Sequence, residues 1–133
     1  MPMITIRYLQ PGGTDLRPAI AAAAAGWSSA HLGKDPGVTA VLVEPADPAG
    51  WYIAGSRPAE AGLAAFWLDI KITAGTNLKA ETTRFVEEAF IGMERLLGPL
   101  HPESYVLVHA VDGHAYGYGG RTQEQRWAQA HQP

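Results

Sequence analysis

Pro2 is the residue whose type and position promise the sharpest chemistry. A proline behind the initiator Met normally invites removal of Met1, which turns the ring nitrogen into a secondary amine held rigidly by its ring. An α-amino group titrates near about 7.7–8, and desolvation or neighbouring cations lower that further. Near pH 7 such an amine lifts a proton from the carbon beside a carbonyl and returns it one or two carbons along, which is keto–enol tautomerisation. A protonated amine serves as a general acid instead, and with Met1 retained the nitrogen is an amide and no base exists. His31, at the end of an expected helix, either donates to a carboxylate or is simply favoured there by the helix dipole. Lys71 is a cation on an expected strand, where it either meets a carboxylate or is neutralised with Arg7 and Asp69. His109, His114 and Tyr116 surround the glycine-rich run Tyr116 to Gly120, a turn whose tyrosines are able to cover a sheet edge.

Other constellations fail on spacing. His109 and His114 lack helical i, i+4 geometry and a companion carboxylate, so no metal site is expected. The run from Tyr116 to Gly120 is not followed by the Lys-Ser/Thr pair of a phosphate loop. Ser29, Ser56 and Ser104 have no nucleophile-elbow context.

The elements that must position these residues come in two similar halves. Met3 to Leu9 alternates as a strand, with Ile4, Ile6 and Tyr8 on one face, and Pro11-Gly12-Gly13 breaks it. Thr14 or Asp15 is expected to cap a helix carrying Leu16, Ile20, Ala23, Trp27 and Ala30, which ends at Gly33. Val38 to Glu44 is a second strand, and Trp51 to Gly55 a short extended or hairpin piece. The second half repeats the order: a strand from Ala64 to Thr73, Asn77 as N-cap of a helix reaching Leu97, a strand from Tyr105 to Val111, and the Tyr116–Gly120 hairpin. Residues 1–133 thus read as one domain, with pseudo-repeats 2–55 and 64–120 and a polar tail 122–133.

This pattern predicts an α+β fold: two right-handed βαβ units giving a four-stranded mixed sheet with both helices on one face. The opposite face is expected to carry Thr5, Arg7, Val41, Val43, Trp67, Asp69, Lys71, Val106 and Val108. That set is too apolar for water and too charged for a monomer core, so burial against further copies of the chain is expected.

Composition narrows the classes. The 133 residues are 47% hydrophobic and 17% charged, enough to build a core. Ten Lys and Arg against thirteen Asp and Glu give a net charge of −3, without the basic stripe that nucleic acid requires. No Cys is present, which removes disulfides, thiolate metal sites and Cys nucleophiles. The apolar run Ala19 to Gly26 is too short to span a bilayer and has no leader features, so no membrane partner and a cytoplasmic location are expected.

In order and content these segments resemble the tautomerase superfamily, in its fused double-βαβ form. Ser29-Ala30-His31 and the run Pro48 to Gly55 are similar to the cis-3-chloroacrylic acid dehalogenase group. The run Ile70 to Leu78 is more like the 5-carboxymethyl-2-hydroxymuconate isomerase group, and the whole order also resembles the macrophage migration inhibitory factor group. The resemblance implies a homotrimer and cofactor-independent chemistry by Pro2, with His31 contacting substrate. It also implies that the fourth strand and second hairpin, with His109, His114 and Tyr116, line the pocket. By the Gly75 register, the carboxylate-clamping arginines of the family fall here on Thr73 and Thr76, and Lys71 is the nearest replacement cation. The expected function is therefore a tautomerase or isomerase of a small 2-oxo or enol acid. The alternatives are a hydratase, dehalogenase or decarboxylase of a three-carbon acid, or a trimeric binding or scaffold protein without catalysis.

Overall fold

Two parallel strand pairs meet along an antiparallel seam. A computed structural model describes residues 2–132 of the chain. Met1, on whose removal the proposed amine depends, and Pro133, the last residue of the expected tail, lie outside the described residues. The main sheet contains β1 (Met3–Leu9), β2 (Ala40–Pro45), β3 (Ala65–Thr73) and β4 (Tyr105–Val111) in the order β2-β1-β3-β4. β1 and β2 are parallel, β3 and β4 are parallel, and β1 and β3 are antiparallel. The helices α1 (Arg17–Leu32) and α2 (Lys79–Leu97) complete the two βαβ units.

The core lies between the sheet and these helices. Ile4, Ile6, Tyr8, Phe66, Leu68 and Ile70 alternate inward from the two central strands. They meet Ile20, Ala24, Ser28 and Leu32 of α1 and Phe85, Ala89, Met93 and Leu97 of α2, each set at the i, i+4 spacing that stacks residues on one helix face. Each large side chain buried there contributes about 1.5–3 kcal/mol of transfer free energy. Where α1 and α2 pack, Gly92 faces Trp27: a Cβ on Gly92 would lie 2.2 Å from the indole ring, so only glycine admits the indole at that position.

The phase of two strands differs from the sequence expectation. Val41 and Val43 are in register with Ile4 and Ile6, and Val106 and Val108 with Leu68 and Ile70. All four valines therefore pack on the helix-side core, not on the opposite face. The residues that face away from the helices in these strands are Ala40, Leu42, Glu44, Tyr105, Leu107, His109 and Val111. Alternation alone leaves the phase open, and a shift of one residue exchanges the two faces. The open face remains mixed in character: Leu42 is 55%, Trp67 46% and Leu107 51% exposed, interleaved with Thr5, Arg7, Asp69 and Lys71.

The helix starts also differ. Leu16, not Thr14 or Asp15, holds the N-cap position of α1, although Asp15 Oδ1 still accepts the Arg17 N–H at 3.0 Å. Leu78 caps α2, its N–H donating to Glu81 Oε1 at 2.7 Å. Asn77 is drawn elsewhere: its Nδ2 donates to Leu32 O at 2.9 Å, satisfying a carbonyl that the end of α1 leaves free. Gly33 ends α1 in the left-handed conformation, as expected.

Each half ends in a tight turn with two successive positive φ angles, Ala54-Gly55 in the first and Gly119-Gly120 in the second, the signature of a type I′ hairpin. The second turn joins β5 (Gly117–Tyr118) to β6 (Arg121–Thr122). The tail beyond it is ordered as α3 (Gln123–Ala130), closed by a reciprocal capping box between Thr122 and Gln125.

Candidate functional site

Because β1 runs antiparallel to β3, the start of β1 lies at the edge of the sheet where β3 and β4 finish. α1 ends and α2 begins at that same edge, so one end of the molecule collects residues from both halves.

Pro2 sits there with its ring fully buried, and its carbonyl accepts the N–H of Ala40 at the head of β2 (3.2 Å). Across the β3–α2 turn, Thr76 Oγ1 donates to Thr73 O at 2.6 Å and accepts from Lys34 Nζ at 3.0 Å. Thr73 Oγ1 in turn shares a 2.7 Å hydrogen bond with Tyr116 OH. Lys34, Thr76, Thr73 and Tyr116 thus form one continuous polar chain. Partial burial of Lys34 pushes its ammonium pKa below the ordinary lysine value, against the opposing pull of Glu81. A half-desolvated cation beside hydroxyl groups is suited to a small carboxylate, and it attracts one more strongly than a fully hydrated lysine does.

Sequence reasoning passed over Lys34. Its only local signal is its place one residue beyond the glycine that ends α1, which projects it past the helix onto the sheet end. His31 lies one turn back from that end and is half-buried, with no hydrogen-bond partner among the described residues. His114 is exposed and lines an open cleft of about 290 Å³ with Tyr116, Gly117 and Arg121.

Lys71 and His109 do not join this group. They are paired across β3 and β4 on the open sheet face. His109 Nε2 lies 2.9 Å from Asp69 Oδ1, and Arg7 pairs with Glu44 at 3.5 Å. Lys71 makes no ion pair among the described residues, so the mutual neutralisation of Lys71, Arg7 and Asp69 takes a different form from the one expected. Trp51 is buried within the chain against Trp67, ring centroids 4.8 Å apart, whereas Tyr52 is exposed and accepts from Arg57.

The opposite end of the sheet has a cleft of about 350 Å³ at the first-half turn, lined by Tyr8, Gly12, Gly13 and Arg17 among others. Arg17 is held there by both oxygens of Asp15, at 2.9 and 3.0 Å, so its charge is already answered. The corresponding chain position at that end is Ala64, in place of a proline.

No protein-family model matches the sequence, and no curated protein matches it. Solved structures do. A fused 4-OT solved as a symmetric trimer superposes with a TM-score of 0.79 at 14% identity, covering 92% of this chain and 96% of that one. Pt0534, solved after inactivation by 2-oxo-3-pentynoate, gives 0.80 at 10% identity, covering 93% and 98%. N1, a member of the cis-3-chloroacrylic acid dehalogenase family, gives 0.72 at 17% identity, covering 97% and 92%. With its β2-β1-β3-β4 sheet and two covering helices, the chain has the fold of the tautomerase superfamily.

Proposed function

We propose that the chain is a cofactor-independent keto–enol tautomerase of the tautomerase superfamily, acting in the cytoplasm as a homotrimer on a small 2-oxo or enol acid. The observation that carries this reading is the position of Pro2: buried at the head of β1, on the sheet edge that also holds Lys34, Thr76, Thr73 and Tyr116. Removal of Met1 makes the Pro2 nitrogen a secondary amine. Burial lowers its affinity for a proton, so it is neutral near pH 7 and acts as general base. It takes the proton from the enol hydroxyl or the α-carbon and returns it to the other position, with no redox partner.

Lys34 receives the substrate carboxylate, a role the sequence assigned to Lys71 or to the threonines in place of arginine. Thr76 holds the ammonium in place, and Tyr116 forms the wall beyond Thr73. The solved relative that 2-oxo-3-pentynoate inactivates supports a 2-oxo acid as substrate class. The exposed Leu42, Trp67 and Leu107 support assembly through the open sheet face.

Ketonisation of phenylenolpyruvate, followed by ultraviolet absorbance, tests the reading. Activity is expected in the wild type and loss of at least about a hundredfold in Pro2→Ala, the scale of a general base. Equal rates in both, or an intact mass that retains Met1 in the active preparation, reject it. A second reading, dehalogenation or hydration of a three-carbon acid assisted by His31, draws on the similarity to N1 and on the half-buried imidazole. Halide release from 3-haloacrylates would promote it.

A further inference from the structure

The tail helix α3 buries none of its own residues, and a helix of this length does not hold in water by itself. What orders it is a set of bonds to the loop that precedes it. The N–H groups of Gln123 and Glu124, which a helix start leaves without intrahelical acceptors, donate to Tyr116 O (3.0 Å) and Gly113 O (2.9 Å). Gln125 N–H donates to Thr122 Oγ1 at 3.0 Å, and Thr122 N–H donates to Gln125 Oε1 at 2.9 Å. One turn further, Arg126 Nη2 donates to Tyr118 O at 2.8 Å, and its guanidinium lies over the Tyr118 ring, 3.8 Å from the centroid. The helix therefore grips the loop at Gly113, Tyr116 and Tyr118.

Glycines make this close approach possible and also make the grip necessary. A Cβ on Gly117, which pairs with Thr122, would run into the Arg121 carbonyl. A Cβ on Gly119 would lie 2.8 Å from Arg126 Nη2. With glycine at 113, 117, 119 and 120, the loop has little conformational restraint of its own.

Between the anchors stands Tyr116, half-buried, whose hydroxyl shares the 2.7 Å bond with Thr73 Oγ1. Met3 pairs with Lys71, so the antiparallel register carried one residue further sets Pro2 beside Ile72, next to Thr73. A single hydroxyl bond fixes one point of a side chain, whereas the bonds from α3 fix the backbone that carries it. We propose that α3 is the positioning element of the Pro2 end, with Arg126 as the residue that locks the loop and so keeps the Tyr116 hydroxyl on Thr73. The catalytic consequence rests on the tautomerase reading, in which Tyr116 walls the substrate. Arg126 is a positioning residue: it acts through Tyr116 and not on the reacting atoms.

Hydrogen exchange and ketonisation kinetics on the full-length protein test this together. Arg126→Met keeps an unbranched stem and removes the donor. The amides of residues 113–118 are expected to exchange at least about tenfold faster in this variant, as for a segment released from its anchor. On phenylenolpyruvate, kcat/KM is expected to fall by about ten- to a hundredfold, the cost of a displacement of about 1 Å. In a Tyr116→Phe background the same substitution is expected to cost less than about threefold, because the bond it protects has already gone. Unwinding of α3 alone, seen by circular dichroism, leaves this cycle readable. Should a melt show loss of the main fold, Thr122→Val, which removes the cap acceptor, takes the place of Arg126→Met with the same outcomes required. Unchanged exchange overturns the clamp, and equal losses in both backgrounds overturn its action through Tyr116. Activity that is absent from the wild type, or equal in Pro2→Ala, rejects the tautomerase reading and the catalytic consequence with it, while the exchange rates still decide whether α3 holds the loop.

Discussion

Lys34 Nζ donates to Thr76 Oγ1 across 3.0 Å, joining the segment after α1 to the turn before α2. This bond ties the two halves of the chain together at the end where Pro2 begins β1. It also holds the ammonium at that end. Lys34→Met is therefore expected to raise KM for a carboxylate substrate by about ten- to a hundredfold, the range for a charge-assisted hydrogen bond. The change in kcat should be smaller. Lys71→Ala, on the open face, is the comparison: a rise in KM there and none in Lys34→Met would move the carboxylate to Lys71.

The same lysine carries a stability signature. Its folded-state pKa is lowered by burial relative to the unfolded chain. Between the two values the unfolded chain binds more protons, so stability rises with pH through that alkaline window. Below it, at neutral pH, the folded protein bears the full cost of holding the charge partly desolvated. Lys34→Met removes that cost and is expected to melt no lower than the wild type at pH 7 while losing substrate affinity. Its melting temperature should also gain less than the wild type's as pH rises toward 10. A variant that melts well below the wild type at pH 7 would show that the bond to Thr76 outweighs desolvation.

What the sequence made legible follows from short-range physics. Strand alternation at Ile4–Ile6–Tyr8, the glycine stop at Gly33 and the βαβ spacing need only neighbours within a few residues, and they led to the correct sheet and helix layers. The faces of Val41, Val43, Val106 and Val108 depend on register against β1 and β3, which no local pattern contains. The Lys34–Thr76 and Asn77–Leu32 bonds close over 42 and 45 residues, so neither the shift of the N-cap to Leu78 nor the cation of the site could be read locally. The tail looked too polar for a core, and it is α3's capping box and its bonds to Tyr116 and Gly113 that order it.

Gly92 tests the helix layer. Adding a methyl group there drives it into the Trp27 ring, with 2.2 Å to the nearest ring atom. Overpacking of this kind costs about 1–3 kcal/mol, whereas the better helix propensity of alanine returns up to about 1 kcal/mol. Gly92→Ala is expected to lower Tm by several degrees in a thermal melt. A higher Tm would mean that the indole swings aside and that the close approach of α1 and α2 is not needed.

The open sheet face offers the last test, because assembly and catalysis are joined in the proposed trimer. Leu107 is directly opposite Asp69 on β3, which lies opposite Thr5 and then Leu42, so one row crosses all four strands. Leu107→Glu places a second carboxylate beside Asp69 at the β4 end of that row, and burying like charges against another copy carries a large desolvation cost. The substitution points away from the helix-side core, so the monomer fold should persist by circular dichroism. Sedimentation is expected to shift from trimer to monomer. A variant that remains trimeric would show that copies meet elsewhere. If the monomer forms and still ketonises phenylenolpyruvate at the wild-type rate, the Pro2 end is complete within one chain. Lost activity would show that a neighbouring copy finishes the site.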